Sequence, residues 1–155
     1  MKKLRIAVIT GGPFAEHEVS RLSGEAVRRA LAKTGYETTP VLIKRDGEWS
    51  ISPTKLKEMA DIVFIAMHGK YGEDGTVQDI LGQAGIPCTG SGILSSALTI
   101  NKVLTGRLFR DLGFNTPRSM SLEKSDSGYF ELDFDFPVIV KPISRGLSLG
   151  VGLAR

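Results

Sequence analysis

The chain carries a single cysteine, Cys88, so no intrachain disulfide is possible, which suits a reducing, cytoplasmic setting. It has one tryptophan and 7% aromatic residues, and these do not interleave with the basic residues as a base-stacking platform requires. Charge of one sign is also in short supply. Twenty Lys and Arg stand against 17 Asp and Glu, a net +3 with no basic run, which argues against a nucleic-acid partner or a membrane surface. No apolar run approaches the roughly 18 residues of a membrane span. The Met1-Lys2-Lys3 start faintly imitates a signal peptide, but Arg5 and the Gly11-Gly12 pair leave too short an apolar stretch. Internal repeats and low-complexity tracts are missing. So are G-x-G-x-x-G and G-x-x-x-x-G-K-[ST], which disfavours a nicotinamide-dependent Rossmann enzyme and a P-loop.

What remains is an ordinary globular composition, 41% apolar and 24% charged over 155 residues. That length buries one core, or one domain and part of another. Residues 4–10 are β-branched and apolar and run into Gly-Gly, the pattern of a buried strand entering a tight loop. Residues 19–33 show helical spacing (Val19, Leu22, Ala26, Val27, Ala30, Leu31) with Gly35 as a stop. Strands are predicted at 38–44, 62–67 and 86–88, with a turn at Asp46-Gly47 folding 49–51 back as a hairpin. Ser52-Pro53 opens a short helix, and a further helix covers 76–83. This alternation predicts an α/β fold, a Rossmann-like parallel sheet flanked by helices, over residues 1–89. From residue 90 a second unit follows. It has a helical stretch over 94–112 broken near Asn101, a polar segment over 119–135, and a strand, glycine loop and return strand over 137–154. A two-stranded hairpin is marginal by itself, so this unit reads as the start of a larger domain.

Three segments concentrate chemistry. His68-Gly69-Lys70-Tyr71-Gly72-Glu73-Asp74-Gly75 follows a buried strand, and its glycines allow sharp turns and close approach to a ligand. His68 is either a site residue or a loop-holding histidine. Glu73 and Asp74 read as cap and first-turn acids of the next helix. Between the first strand and first helix, Glu16 and Glu18 suit a cationic group such as an amine. Glu18 is assigned to the helix N-terminus, and Glu16, further into the loop, to a ligand. The segment 141–150 places a lysine at a strand end before a glycine loop of the kind that closes over a nucleotide triphosphate. Lys102 by itself reads as a surface lysine.

Taken in order, residues 6–12, Ala15-Glu16-His17-Glu18-Val19-Ser20, residues 68–75, Thr89-Gly90-Ser91-Gly92, Ser96-Ala97-Leu98 with Asn101-Lys102, and residues 137–150 resemble the D-alanine–D-alanine ligase family of ATP-grasp enzymes. The resemblance covers nearly the whole chain and rests most heavily on H-G-x-x-G-E-D-G. It implies a pre-ATP-grasp domain over 1–89 and the beginning of an ATP-grasp domain over 90–155. It also implies an ATP-dependent ligation of two D-alanines through an acyl phosphate, for peptidoglycan precursors. Glu16 is then expected to hold the ammonium of the first D-alanine, with Val19 and His68 beside it. Lys102, Lys141, Gly146, Ser148 and Gly150 are expected at the ATP phosphates. Magnesium ligands are expected outside these residues, and homodimerisation through the amino-terminal domain is a family property. Leu147 departs from the family, which usually has two adjacent serines in this loop; a leucine neither donates nor accepts there. On this reading the chain is the amino-terminal half of the enzyme, inactive alone and complemented by a carboxyl-terminal half. The alternative is a non-catalytic module that binds D-alanine or dimerises.

Overall fold

The structure is a computed structural model and describes residues 3–122 and 131–155. The predicted 119–135 segment therefore falls partly outside the described residues, as does the start of the chain at 1–2.

Three parallel strands form the first sheet: β1 (Ile6–Gly11) in the centre, β2 (Thr38–Ile43) on one side and β3 (Ile62–Ile65) on the other. Helix α1 (His17–Lys33) links β1 to β2, and α2 (Pro53–Met59) links β2 to β3. Ala7, Val8, Ile9, Val41, Ile43 and Val63 are fully buried, as near-continuous apolar strands of a covered parallel sheet should be. Each fully buried aliphatic side chain of this kind contributes about 1.5–3 kcal/mol. Helix α2 begins as its sequence requires. Ser52 accepts the Lys55 N–H and Pro53 takes the first turn, where its missing N–H costs nothing. Arg5 clamps the entry to the sheet, its backbone N–H and guanidinium both bonding Asp61 at 2.8 Å.

Two predicted strands shrink to single bridges. Among the described residues Trp49 bridges only to Ile43, and Cys88 bridges in parallel only to Val63. Pro87 supplies a carbonyl to the Val63 N–H at 2.9 Å but has no N–H of its own, so that edge ladder stops. Helix α1 differs in its inward face. Val19 and Leu22 are 43% and 73% exposed, while His17, Ser20 and Gly24 are buried. Small residues let the helix lie close to the sheet, with Gly24 directly over Thr10 and Val8.

Ser20 is the key to that packing. Its hydroxyl accepts the Gly11 N–H at 2.8 Å and donates to the Ala66 carbonyl at 2.9 Å, joining the carboxyl ends of β1 and β3 through one fully buried side chain.

Helix α3 (Thr76–Gln83) follows the glycine loop with the predicted bounds. Helices α4 (Ile93–Thr99) and α5 (Lys102–Asp111) come next, and Asn101 caps α5 by accepting the Val103 and Leu104 N–H groups, both at 3.1 Å. Strands β4 (Val138–Val140) and β5 (Gly152–Ala154) pair antiparallel, as predicted. Among the described residues no helix is long and apolar enough to cross a membrane.

Replacing Ser20 with alanine deprives two buried backbone groups of their partner. Ser20→Ala is expected to lower the unfolding free energy by about 1–3 kcal/mol. Urea titration checks this as a lower midpoint at unchanged slope.

Candidate functional site

Because β1 and β3 are adjacent and parallel, the loops leaving their carboxyl ends converge, the usual crevice of an open α/β sheet. The first of these loops delivers Glu16, the residue immediately before α1. Glu16, Ser20 and Ser23 fall at i, i+4 and i+7, one face of that helix, and Val19 stands beside them on its exposed flank. Sequence spacing thus carries three side chains toward the second loop.

Glu16 is 6% exposed; its backbone carbonyl accepts the Ser20 N–H at 2.9 Å, while its carboxylate makes no hydrogen bond or ion pair among the described residues. Its carboxylate lies against Gly69, where a methyl group would come within 2.6 Å of Glu16 Cδ. Gly69 also has φ +63, so glycine is required here on both counts.

His68 is held from two sides. Nε2 lies 2.8 Å from the Ser23 hydroxyl, and Nδ1 lies 3.7 Å from Glu73 Oε1. A proton on Nδ1, facing the carboxylate, leaves Nε2 to accept the Ser23 O–H. Glu73 Oε2 in turn accepts the Gly69 N–H at 2.7 Å. Glu73 therefore braces the loop rather than capping α3.

Asp74 does the work expected of both acids, accepting the Tyr71 N–H at 2.9 Å and the Thr76 N–H at 3.0 Å. Partial burial alone would raise its carboxyl. The N–H of Tyr71 and the hydroxyl and N–H of Thr76 together outweigh that and hold it below the ordinary carboxylate value. Glu18 stays at the surface, paired with Arg21 at 3.2 Å and Arg45 at 3.4 Å, in keeping with a first-turn acid. Two further contacts fix the loop: Lys70 Nζ lies 4.7 Å from the centre of the Phe14 ring, and Trp49 Nε1 donates to Tyr71 Oη at 3.1 Å.

Sequence reasoning passed over His17, Ser20 and Ser23. His17 is buried and Nδ1 donates to the Gly12 carbonyl at 2.7 Å, pinning the loop that carries Glu16. For Ser20 and Ser23 the signal was available as their i+4 and i+7 spacing from Glu16. A search for apolar periodicity passes over it.

The second glycine loop reaches the same place. A methyl group on Gly146 would lie 3.3 Å from Gly69 Cα and 3.5 Å from Glu73 Oε2. Lys102 is tied to this loop, its backbone N–H donating to the Ile143 carbonyl at 3.0 Å and Nζ to the Arg145 carbonyl at 2.7 Å. Leu147 and Ser148 are both left-handed, with φ of 50° and 58°, and Leu149 N–H closes on the Gly146 carbonyl at 3.1 Å. That is the pattern of a type I′ turn. Gly150, at φ +76, sits over Pro142. Lys141 and Ser148 are exposed, and their side chains make no hydrogen bond or ion pair among the described residues. No group of three or more His, Cys, Asp or Glu that could hold a metal ion occurs among the described residues.

Comparison with known proteins sets this geometry in a family. The profile described as D-ala D-ala ligase N-terminus matches residues 5–59 and 50–91. The chain is 40% identical over 156 residues to the D-alanine–D-alanine ligase of Geotalea uraniireducens (strain Rf4), covering 100% of this chain and 49% of that protein. Among solved structures it resembles the D-alanine–D-alanine ligase of Helicobacter pylori with a TM-score of 0.83 at 25% identity, over 98% of this chain and 59% of that one. The Bacillus anthracis ligase complexed with ATP gives 0.73 at 34% identity, over 97% and 50%. The chain spans about half the length of the curated relatives it matches.

Asp74 makes the loop's stability pH-dependent, and the sign follows from its lowered native value. The unfolded chain binds the proton more readily, so the carboxylate's contribution is complete above the ordinary value near pH 4 and is lost as pH falls through the lower native value. Asp74→Asn is expected to be less stable than the parent at pH 7, the gap narrowing below about pH 4. Denaturant melts from pH 7 to 3 check this, and a constant gap would contradict it.

Proposed function

Because the chain belongs to the D-alanine–D-alanine ligase family, we propose that it supplies the first-amino-acid subsite and part of the ATP phosphate site of an ATP-dependent ligation of two D-alanines. The observation that carries this reading is Glu16, a buried carboxylate without a partner among the described residues, at the mouth of the sheet crevice. A carboxylate so nearly enclosed, with no partner from the protein, suits a cationic donor, and the ammonium of an amino acid supplies both charge and N–H groups.

On this reading Glu16 fixes the ammonium of the first D-alanine, and its carboxylate is presented for phosphorylation. His68, oriented by Ser23 and Glu73, lines the same subsite, and the exposed Val19 flanks the methyl group. The nearby 146–150 loop then meets the phosphates of ATP. The N–H groups of Leu147 and Ser148 have no partner among the described residues, and successive left-handed residues suit an anion. Ser148 Oγ adds a donor, and Lys102 and Lys141 supply positive charge. The positioned cations lower the barrier to attack of the amino acid's carboxylate on the γ-phosphorus, giving an acyl phosphate and ADP. The second D-alanine's amine then displaces phosphate. Magnesium neutralises phosphate charge in such transfers, and its ligands are assigned to residues outside these 155. Homodimerisation, a cytoplasmic setting and a place in cell-wall precursor synthesis go with the same reading.

A chimera in which these 155 residues replace the matching half of the Geotalea uraniireducens relative is expected to ligate D-alanine with ATP. Glu16→Gln in that chimera is expected to raise KM for D-alanine by roughly tenfold or more. An unchanged KM would remove Glu16 from the ammonium role. The 155-residue chain alone is expected to release no phosphate with ATP, magnesium and D-alanine.

A further inference from the structure

One backbone residue walls the Glu16 carboxylate. Gly69 lies so close that a methyl group on it would come within 2.6 Å of Glu16 Cδ, and Glu16 keeps only 6% of its surface exposed. The residue four positions on holds that wall in place. The Gly69 N–H donates to Glu73 Oε2 at 2.7 Å, and the Glu73 N–H donates to the Gly69 carbonyl at 2.8 Å. Both backbone polar groups of Gly69 are thus tied to Glu73, at a φ of +63 that side-chain-bearing residues rarely adopt.

The second glycine loop packs on the same wall. A methyl group on Gly146 would lie 3.3 Å from Gly69 Cα and 3.5 Å from its nitrogen. With Glu16 and Gly146 as close neighbours and two ties to Glu73, Gly69 has little room to yield.

A wall this near a carboxylate limits the size of the nitrogen that reaches it. An –NH₃⁺ group carries only hydrogens and meets a carboxylate oxygen at about 2.7–2.9 Å. Exchanging one of those hydrogens for a methyl group keeps the charge but adds a carbon, which a packed wall admits only by shifting.

With Glu16 assigned to the ammonium of an amino acid, on which this rests, we propose that the subsite takes primary ammonium groups and rejects N-alkylated ones. Glu73 is the positioning residue for that choice. It acts through Gly69 and does not itself touch the substrate.

The test is titration of the 155-residue chain with D-alanine and, separately, with N-methyl-D-alanine, which has the same charges. Binding is followed by NMR shifts of the Gly69 amide and the His68 ring. D-alanine is expected to give saturable shifts, and N-methyl-D-alanine to bind about tenfold or more weakly. Glu73→Ala removes the acceptor of the Gly69 N–H and is expected to narrow that preference by about fivefold, the scale of one hydrogen bond. Glu73→Gln keeps an acceptor oxygen but loses the charge facing His68, and is expected to retain the preference. Comparing two ligands on one variant cancels any general loss of affinity, and the parent comparison holds whether or not Glu73→Ala folds. Equal affinity of the parent for both ligands would overturn the proposal and leave Glu16 as the ammonium acceptor. A preference unchanged in Glu73→Ala, or lost in Glu73→Gln, would remove Glu73 from the positioning role. Absence of saturable shifts with D-alanine would overturn the Glu16 assignment itself, and the proposal with it.

Discussion

The buried Ser20 hydroxyl is the constraint on which the rest of the arrangement depends. It spans the carboxyl ends of β1 and β3 by accepting from Gly11 and donating to the Ala66 carbonyl. Parallel strands need only be neighbours for their loops to meet, but the separation and angle of those loops are open until something joins them. A hydroxyl from the helix that follows β1 does this at one point, and Gly24 one turn later lets the helix come close enough for it to reach. The register of α1 is then fixed. Glu16 one turn before Ser20 and Ser23 nearly one turn after it are both presented to the second loop, where Gly69 and His68 receive them.

The two acids of that second loop divide the labour by position. Asp74 collects backbone N–H groups at the start of α3 and shapes the turn. Glu73 faces the other way, holding Gly69 and facing His68, with Gly146 of the second glycine loop packed against it. One carboxylate thus lies between the subsite assigned to an amino acid and the loop assigned to phosphates. A site braced in this way by its own backbone and side chains needs little rearrangement to bind, so less of the interaction energy is lost to ordering.

Local signals made most of the elements legible. β-branched runs, the Ser52-Pro53 start, the Gly35 stop and the helix after Gly75 all stand where propensity and capping chemistry place them. The segment 86–88 reads as a strand by composition, yet Pro87 cannot carry the ladder. Helix α1 was legible as a helix but not by its inward face, because that face is built from Ser20, Gly24 and His17 rather than from its apolar residues. The site divided along the same line. Glu16 and His68 were visible as titratable residues among glycines. Ser20, Ser23 and His17, which hold them, bond to partners such as Ala66 and His68 more than 40 residues away or to a single loop carbonyl, and periodicity does not encode that. The approach of Gly146 to Gly69 is of the same long-range kind.

The central claim is that a buried carboxylate at the sheet crevice receives the ammonium of D-alanine. The most direct test is a crystal structure of this chain grown with D-alanine. The account predicts the ligand's nitrogen within about 3 Å of the Glu16 carboxylate, as a charge-assisted hydrogen bond requires, with His68 alongside. D-alanine bound with its ammonium turned away from Glu16, or bound only elsewhere on the chain, would contradict it.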